Sequence, residues 1–184
     1  MIINMLIETL FILISRLLYT FYGYEGVNLL FKVSPSRCIV AVLKHYGAKI
    51  GENTRIQAPF GIHNADNNIP IFINLDIGKD CYVGRNIVID LMDEVTIGNR
   101  VTISHGTYFN THTNIGKCKV NTEKLSTSKN KIIVEDDVYI GINVSILEGV
   151  SIGRKSIIGA CSLINKNINP DSIAYGVPVK EVND

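Results

Sequence analysis

The chain has 184 residues, 46% of them hydrophobic, with 18 Lys and Arg against 17 Asp and Glu for a formal net charge of +1. That length buries one core with a terminal appendage rather than two full domains, and the even charge, without a basic run, excludes a nucleic acid held through its phosphates. Cys38, Cys81, Cys118 and Cys161 lie far apart with no C-x-x-C pair, which suggests neither a zinc site nor a disulfide framework and fits reduced thiols in a cytoplasmic protein.

Residues 1–31, MIINMLIETLFILISRLLYTFYGYEGVNLLF, are apolar almost throughout. They lack the basic start and small-residue cleavage site of a signal peptide, so removal is not expected. Glu8 and Arg16 interrupt the run before about 20 clean apolar residues accumulate, the length a membrane-spanning helix needs. The pattern predicts a hydrophobic helical arm with two readings, contact with the inner membrane surface or packing against neighbouring subunits, because an apolar patch this large must be covered. VSPSRCIVAVLKHYG predicts a second helix, capped by Ser34 or Ser36, with Pro35 in its first turn and Gly47 at its end, which closes an arm over residues 1–47.

From Lys49 the texture changes. Val134, Ile140, Ile146, Ile152, Ile158 and Ile164 recur every six residues, and a second lattice four places on holds Val138, Val144, Val150, Ser156, Ser162 and Ile168. The same rule runs earlier through Ile71, Ile77, Val83 and Ile89, slips by two residues at Glu94–Val95, and resumes at Ile97 and Ile103. Gly141, Gly153 and Gly159 follow the aliphatic, where a tight corner would want a residue free of Cβ. A period of six fits neither a helix nor simple alternation. It fits short strands that each contribute one inward aliphatic, three strands closing one triangular turn and stacked turns pairing their backbones. The expected fold is therefore mainly β, a parallel β-helix over residues 48–169 with an excursion at 112–131 and a C-terminal tail at 170–184.

The segment from about Gly47 onward resembles the hexapeptide-repeat acyltransferases, in particular the sugar O-acetyltransferases that include the maltose and galactoside enzymes. The match is strongest over IIVEDDVYIGINVSILEGVSIGRKSIIGACSLINKNINPDSIAYGVPVKEV, with a closing G-x-P-x-K as Gly176, Pro178 and Lys180. The resemblance implies a left-handed coil, a homotrimer, and sites in clefts between neighbouring prisms where acetyl-CoA lies along one side. In many relatives an aromatic or aliphatic residue, one spacer and Thr-His end the coil that supplies the base; Phe109, Asn110, Thr111 and His112 reproduce this step.

Acetyl transfer to a hydroxyl needs a group that removes its proton as the oxygen attacks a thioester carbonyl. Imidazole suits the task, since its ordinary pKa near 6.5 leaves much of it as free base at pH 7. His112 is thus the expected catalytic base; without the repeat around it, the same residue would read as a solvated loop histidine. His105, two places after Ile103, is a weaker candidate for orienting the acceptor, as are Asn86 and Asp90, while Asp76 is a further carboxylate and His63 and His45 sit outside the pattern. For the donor, the resemblance points to Tyr139, where many relatives carry tryptophan, to Gly141 and Asn143, to the Gly159, Ala160, Ser162 step whose main chain meets the pantetheine arm, and to Lys166 and Lys180 for phosphates. Cys161 replaces a usual glycine.

Sugar enzymes of the maltose and galactoside type carry two asparagines on an earlier coil; here Gly84 and Asn86 stand there, and the loop to His112 is two residues shorter. Both departures point to an acceptor on a cell-surface polysaccharide, from lipopolysaccharide, capsule or exopolysaccharide. The alternatives are a serine O-acetyltransferase, an amino-sugar N-acetyltransferase, a scaffold, or a metal-dependent carbonic-anhydrase-like protein of the same fold, which needs three histidines at one metal. No metal is expected, and the location expected is cytoplasmic, at the inner membrane surface if the arm binds it.

Overall fold

Short strands whose inward residues recur every six places must stack, because each one leaves its backbone donors and acceptors unpaired until another coil covers them. The computed structural model describes residues 2–65, 70–119 and 124–182. Positions 66–69 after His63, 120–123 of the excursion and 183–184 of the tail lie outside the described residues. The first coil carries β1 (Lys49–Ile50), β2 (Arg55–Ile56) and β3 (Phe60–His63), and the second β4 (Leu75–Ile77), β5 (Tyr82–Val83) and β6 (Ile87–Asp90). The third carries β7 (Val95–Ile97), β8 (Thr102–Ile103) and β9 (Tyr108–Phe109), followed by a hairpin of β10 (His112–Thr113) and β11 (Ser128–Lys129). The fourth holds β12 (Ile132–Val134), β13 (Tyr139–Ile140) and β14 (Ser145–Ile146), and the fifth β15 (Ser151–Ile152), β16 (Ile157–Ile158) and β17 (Leu163–Ile164). β18 (Ile173–Tyr175) and β19 (Lys180–Val182) close the chain.

Every coil strand pairs in parallel with its counterpart on the next coil, giving three faces: β1-β4-β7-β12-β15, then β2-β5-β8-β13-β16-β18, then β3-β6-β9-β14-β17. Registers such as Tyr139↔Ile157 and Ile140↔Ile158 put each aliphatic over its equivalent. Ile56, Val83, Ile103, Ile140 and Ile158 thereby form a column with no solvent exposure, each side chain stabilising the coil by about 2 kcal/mol. The second lattice is buried as well, and its two serines satisfy their hydroxyls on main-chain oxygens, Ser156 on Asn169 at 2.8 Å and Ser162 on Gly159 at 2.7 Å. Without those bonds the hydroxyls would carry an uncompensated desolvation cost.

Two details correct the expectations. The corner conformation with positive φ falls two places after the glycines, on Asn86, Asn143, Lys155 and Cys161 among others. Gly141 is instead required by the next coil, since a Cβ there would lie 2.7 Å from the Ala160 nitrogen. Ile71 is buried in the core but belongs to a turn rather than a coil strand. The two extra residues of the slip fall at the corner between β6 and β7.

The arm is α1 (Ile2–Leu30), broken at Gly23 with φ 60 and ψ −151, and α2 (Ser36–His45). Neither serine caps α2: the Ser34 hydroxyl donates to the Leu30 carbonyl and the Ser36 hydroxyl accepts from the Ile56 N–H. Pro35 occupies the cap position, its fixed φ suiting helix entry. Gly47 does end the helix, in a left-handed conformation (φ 100) that lets Ala48 N–H reach the Leu43 carbonyl and Gly47 N–H the Lys44 carbonyl. α2 buries Cys38, Ile39, Val42 and Leu43 against the first coil. α1 covers the open edge of the third face: the Asn28 amide donates to the Ile62 carbonyl (3.1 Å) and accepts from the Ile62 N–H (3.0 Å), in place of a neighbouring strand. Further from the domain, Ile3, Leu6, Leu10, Leu13 and Leu17 are exposed; by length and composition alone the stretch Ile3–Leu30 is long and apolar enough to cross a membrane, which corrects the expectation that Glu8 and Arg16 interrupt it short of that length.

Asn28→Ala leaves both polar groups of Ile62 buried without partners, so urea unfolding should show a loss of about 3 kcal/mol. A loss below about 0.5 kcal/mol would mean that solvent reaches this edge.

Candidate active site

β6 ends on Asp90, whose side chain is completely buried at the edge between the third and first faces. A buried carboxylate persists only where donors replace water. Here the Thr111 N–H (3.0 Å), the Thr111 hydroxyl (2.9 Å) and His112 Nδ1 (2.5 Å) meet Oδ2. Asn64 Nδ2 (2.8 Å) and the Met92 N–H (3.3 Å) meet Oδ1. Burial pushes the Asp90 pKa up, but the bonds from His112, Asn64 and Thr111 outweigh it and hold the carboxyl below its ordinary value. An ionised carboxylate only accepts, so His112 Nδ1 carries the proton and Nε2 keeps its lone pair. Nε2 makes no hydrogen bond among the described residues, and the ring is one-fifth exposed.

His112 reaches this position because β9 places Phe109 in the inward column and the chain leaves the coil immediately afterwards. Asn110 Nδ2 donates to the His112 carbonyl at 2.8 Å and steadies the exit. β10 then pairs antiparallel with β11, His112 opposite Lys129 and Thr113 opposite Ser128. Glu148, one coil along from Thr111, clamps the base of this hairpin by accepting from the Ser128 hydroxyl (2.8 Å) and Asn130 Nδ2 (3.1 Å). Burial pushes the Glu148 pKa up, and hydrogen bonds from Ser128, Thr113 and Asn130 more than offset it, leaving it lowered.

The other candidates separate into groups. Asn86 and His105 line one groove with Tyr82, Arg85 and Ser104 at the opposite end of the third face, roughly 13 Å from Asp90 along the strand at ~3.3 Å per residue. A single chain therefore does not bring them to His112. Tyr139 is exposed on the second face, with Gly141, Asn143, Gly159 and Ala160 at the corner that follows. The Ile142 and Ala160 N–H groups at this corner donate to no acceptor among the described residues, an open main-chain row that fits the amide carbonyls of a pantetheine arm. The Ser162 hydroxyl is already spent, donating to Gly159 and accepting from the Gly176 N–H at 3.0 Å, so any contact from that step runs through the main chain. Lys166 is exposed at the next corner, and Lys180 lines a separate groove with Tyr175 and Pro178. His63 lies in contact with the Tyr108 hydroxyl at 3.0 Å. Asp76 is paired loosely with Lys49 at 3.9 Å. Among the described residues no three His, Cys, Asp or Glu side chains converge as a metal site.

Residues that sequence reasoning passed over complete the site. A cavity of about 450 Å³ opens on the Asn64 side of the Asp90 carboxylate, lined by Tyr24 from α1 together with Asn64, Asn74, Met92 and Lys129. Glu148 was accessible by arithmetic, since Ile146 pairs with Phe109 and two steps onward Glu148 faces Thr111. Tyr24 and Asn64 carried no local signal, because only the folding of α1 onto the coil edge brings them to Asp90.

Residues 131–166 match the bacterial transferase hexapeptide family signature of six repeats. The chain is 30% identical over 146 residues to a galactoside O-acetyltransferase of Lactococcus lactis subsp. lactis, covering 78% of this chain and 67% of that protein. It is 32% identical over 149 residues to a galactoside O-acetyltransferase of Escherichia coli, covering 78% and 68%. Its fold superposes on a hexapeptide-repeat-containing acetyltransferase of Vibrio cholerae with a TM-score of 0.74 and 26% identity over 92% of each chain; the same protein has been solved with acetyl coenzyme A, with a TM-score of 0.72, 25% identity, and 85% and 82% of the two chains covered. The fold class is that of these neighbours, a left-handed parallel β-helix behind an N-terminal helical arm.

A carboxylate with a lowered folded pKa contributes stability that is full above its ordinary value and is lost as pH falls through the folded value. The stability gap between wild type and Asp90→Asn should therefore be complete at pH 7 and shrink as pH drops below 3.8, the ordinary value, in denaturant melts at each pH. A gap that stays constant to pH 2.5, roughly a unit or more below, would show that the Asp90 charge contributes nothing.

Proposed function

The chain belongs to the hexapeptide-repeat transferases that include the galactoside O-acetyltransferases and is an acetyl-CoA-dependent sugar O-acetyltransferase; from that premise we propose that His112 is its general base and a cell-surface polysaccharide its acceptor. The observation that carries the base is the Nδ1 contact of 2.5 Å to a fully buried Asp90, which leaves Nε2 free. Nε2 takes the proton of the sugar hydroxyl as its oxygen attacks the thioester carbonyl. The tetrahedral intermediate collapses, the C–S bond breaks, and the imidazolium returns that proton to the departing CoA thiolate. Asp90 stabilises the imidazolium between the two transfers, the role a buried aspartate has in other His-Asp pairs. The polysaccharide acceptor is supported by the departures at Gly84 and in the length of the loop to His112.

Three copies complete the site on this reading. The groove of Asn86 and His105 on one subunit would face His112 of the next, which accounts for their separation within one chain. Tyr82, Tyr139, Ile157 and Ile173 stand exposed in one register row along the second face, with Thr102 between the two tyrosines, a largely apolar stripe suited to a neighbouring prism. On α1 the exposed Ile3, Leu6, Leu10, Leu13 and Leu17 recur at alternating steps of three and four, the seam of a helix that packs against other helices. This spacing favours subunit packing over membrane contact for the arm. Gly141, Asn143, Gly159 and Ala160 would meet the pantetheine arm, Tyr139 flank it, and Lys166 and Lys180 meet phosphates as point charges. A cytoplasmic location goes with this reading, since acetyl-CoA is its donor.

Thiol release from acetyl-CoA with a sugar acceptor should fall by about 100-fold or more in His112→Ala, with the fold retained. Unchanged turnover would remove His112 from the chemistry.

A further inference from the structure

The excursion returns to the coil beside the base. Asn130 N–H donates to the Thr111 carbonyl at 2.9 Å, which makes the facing residues His112 and Lys129 a non-hydrogen-bonded pair of the β10–β11 ladder. In such a pair the two side chains share one side of the ribbon with Cβ atoms about 5 Å apart. Lys129 is exposed and forms no ion pair among the described residues. It lines the 450 Å³ cavity beside Asp90, where the remaining named groups are neutral: the Tyr24 phenol, the amides of Asn64 and Asn74, and the Met92 thioether.

The carboxylates nearby do not neutralise it. Asp90 is enclosed by its own donors, Glu148 is taken by Ser128 and Asn130 on the far side of the hairpin, the Asp93 carboxylate accepts from the Glu94 N–H at 2.7 Å, and Glu25 on α1, behind the Tyr24 phenol, accepts from that phenol and from Asn28 Nδ2 at 3.4 Å. Among the described residues the cavity therefore presents one cation outside any ion pair, on the same side of the hairpin as the base, among groups that bond hydroxyls. A neutral hexose would leave that charge unanswered, whereas a sugar acid would meet it with a carboxylate while its ring hydroxyls engage the amides and the phenol. Resting on the acetyltransferase reading above, we propose that the acceptor residue is an acidic sugar, a uronic acid or similar carboxylated unit, and that Lys129 is the specificity-determining residue that binds its carboxylate.

The test compares two matched pairs of acceptors, methyl glucuronoside with methyl glucoside and methyl galacturonoside with methyl galactoside, each pair differing only at C6. Wild-type kcat/KM should favour the acid in at least one pair by about tenfold, the worth of a charge-assisted contact. Lys129→Ala should abolish that preference by raising KM for the acid well beyond any change with its neutral partner, so that the acid-to-neutral ratio of kcat/KM falls to about one while KM for acetyl-CoA stays as in the wild type; Lys129→Arg should keep most of the preference. Raising the salt concentration should weaken it, since the contact is partly open to solvent. Equal use of acid and neutral sugars by wild type, or a Lys129→Ala effect confined to KM for acetyl-CoA, would overturn the proposal while leaving the transferase reading intact. Acetylation of none of the four sugars would overturn the functional reading and this inference with it.

Discussion

Backbone pairing between coils is the constraint from which everything else in the molecule follows. Because each strand takes its register from the one before, an outward residue on one coil stands directly over its equivalent on the next, and a local insertion displaces side chains without disturbing the stack. The first three coils use that freedom at a single edge. After β3 a long connection leads to β4, after β6 the chain carries the two extra residues, and after β9 it leaves for the β10–β11 hairpin. All three departures fall between the third and first faces, and that edge is where Asn64, Asp90, Met92 and His112 meet. The fourth and fifth coils turn the same corner without interruption and hold no comparable cluster among the described residues.

At that edge a single carboxylate organises the chemistry. Asp90 is buried and ionised because Thr111, Asn64 and Met92 supply donors in addition to His112. Those donors come from three successive coils, so the carboxylate is held by the fold itself rather than by one flexible loop. The consequence for function is directional. A carboxylate that cannot donate dictates which imidazole nitrogen bears the proton, and with it which nitrogen is left to act as a base. The arm joins the same arrangement: Asn28 fastens α1 to the edge of β3, and the turn of helix before it delivers Tyr24 to the cavity wall.

The repeat was legible because it is written in residues that pack locally. Ile140, Ile146 and Ile152 announce their faces by spacing alone, and the Phe109 to His112 step stood out as the point where the spacing breaks. The corner residues were less legible: Gly141 suggested a backbone turn, whereas its small size answers to the Ala160 backbone of the next coil, a contact nineteen residues distant that no short pattern displays. The two serines before α2 made reasonable caps in isolation, but tertiary partners claimed both hydroxyls. The cavity was hidden most completely. Tyr24, Asn64 and Lys129 are far apart along the chain, and each is unremarkable until the helix, the end of β3 and the hairpin converge on Asp90.

The account rests on the proton that lies between Asp90 and His112. Nitrogen-15 NMR of the histidine rings at neutral pH, with His112 assigned by comparison with His112→Gln, reads that proton directly. The account requires the neutral ring to be protonated at Nδ1 and bare at Nε2, and to change tautomer balance in Asp90→Asn. A His112 ring protonated at Nε2 in the wild type, with Nδ1 bare, would contradict it.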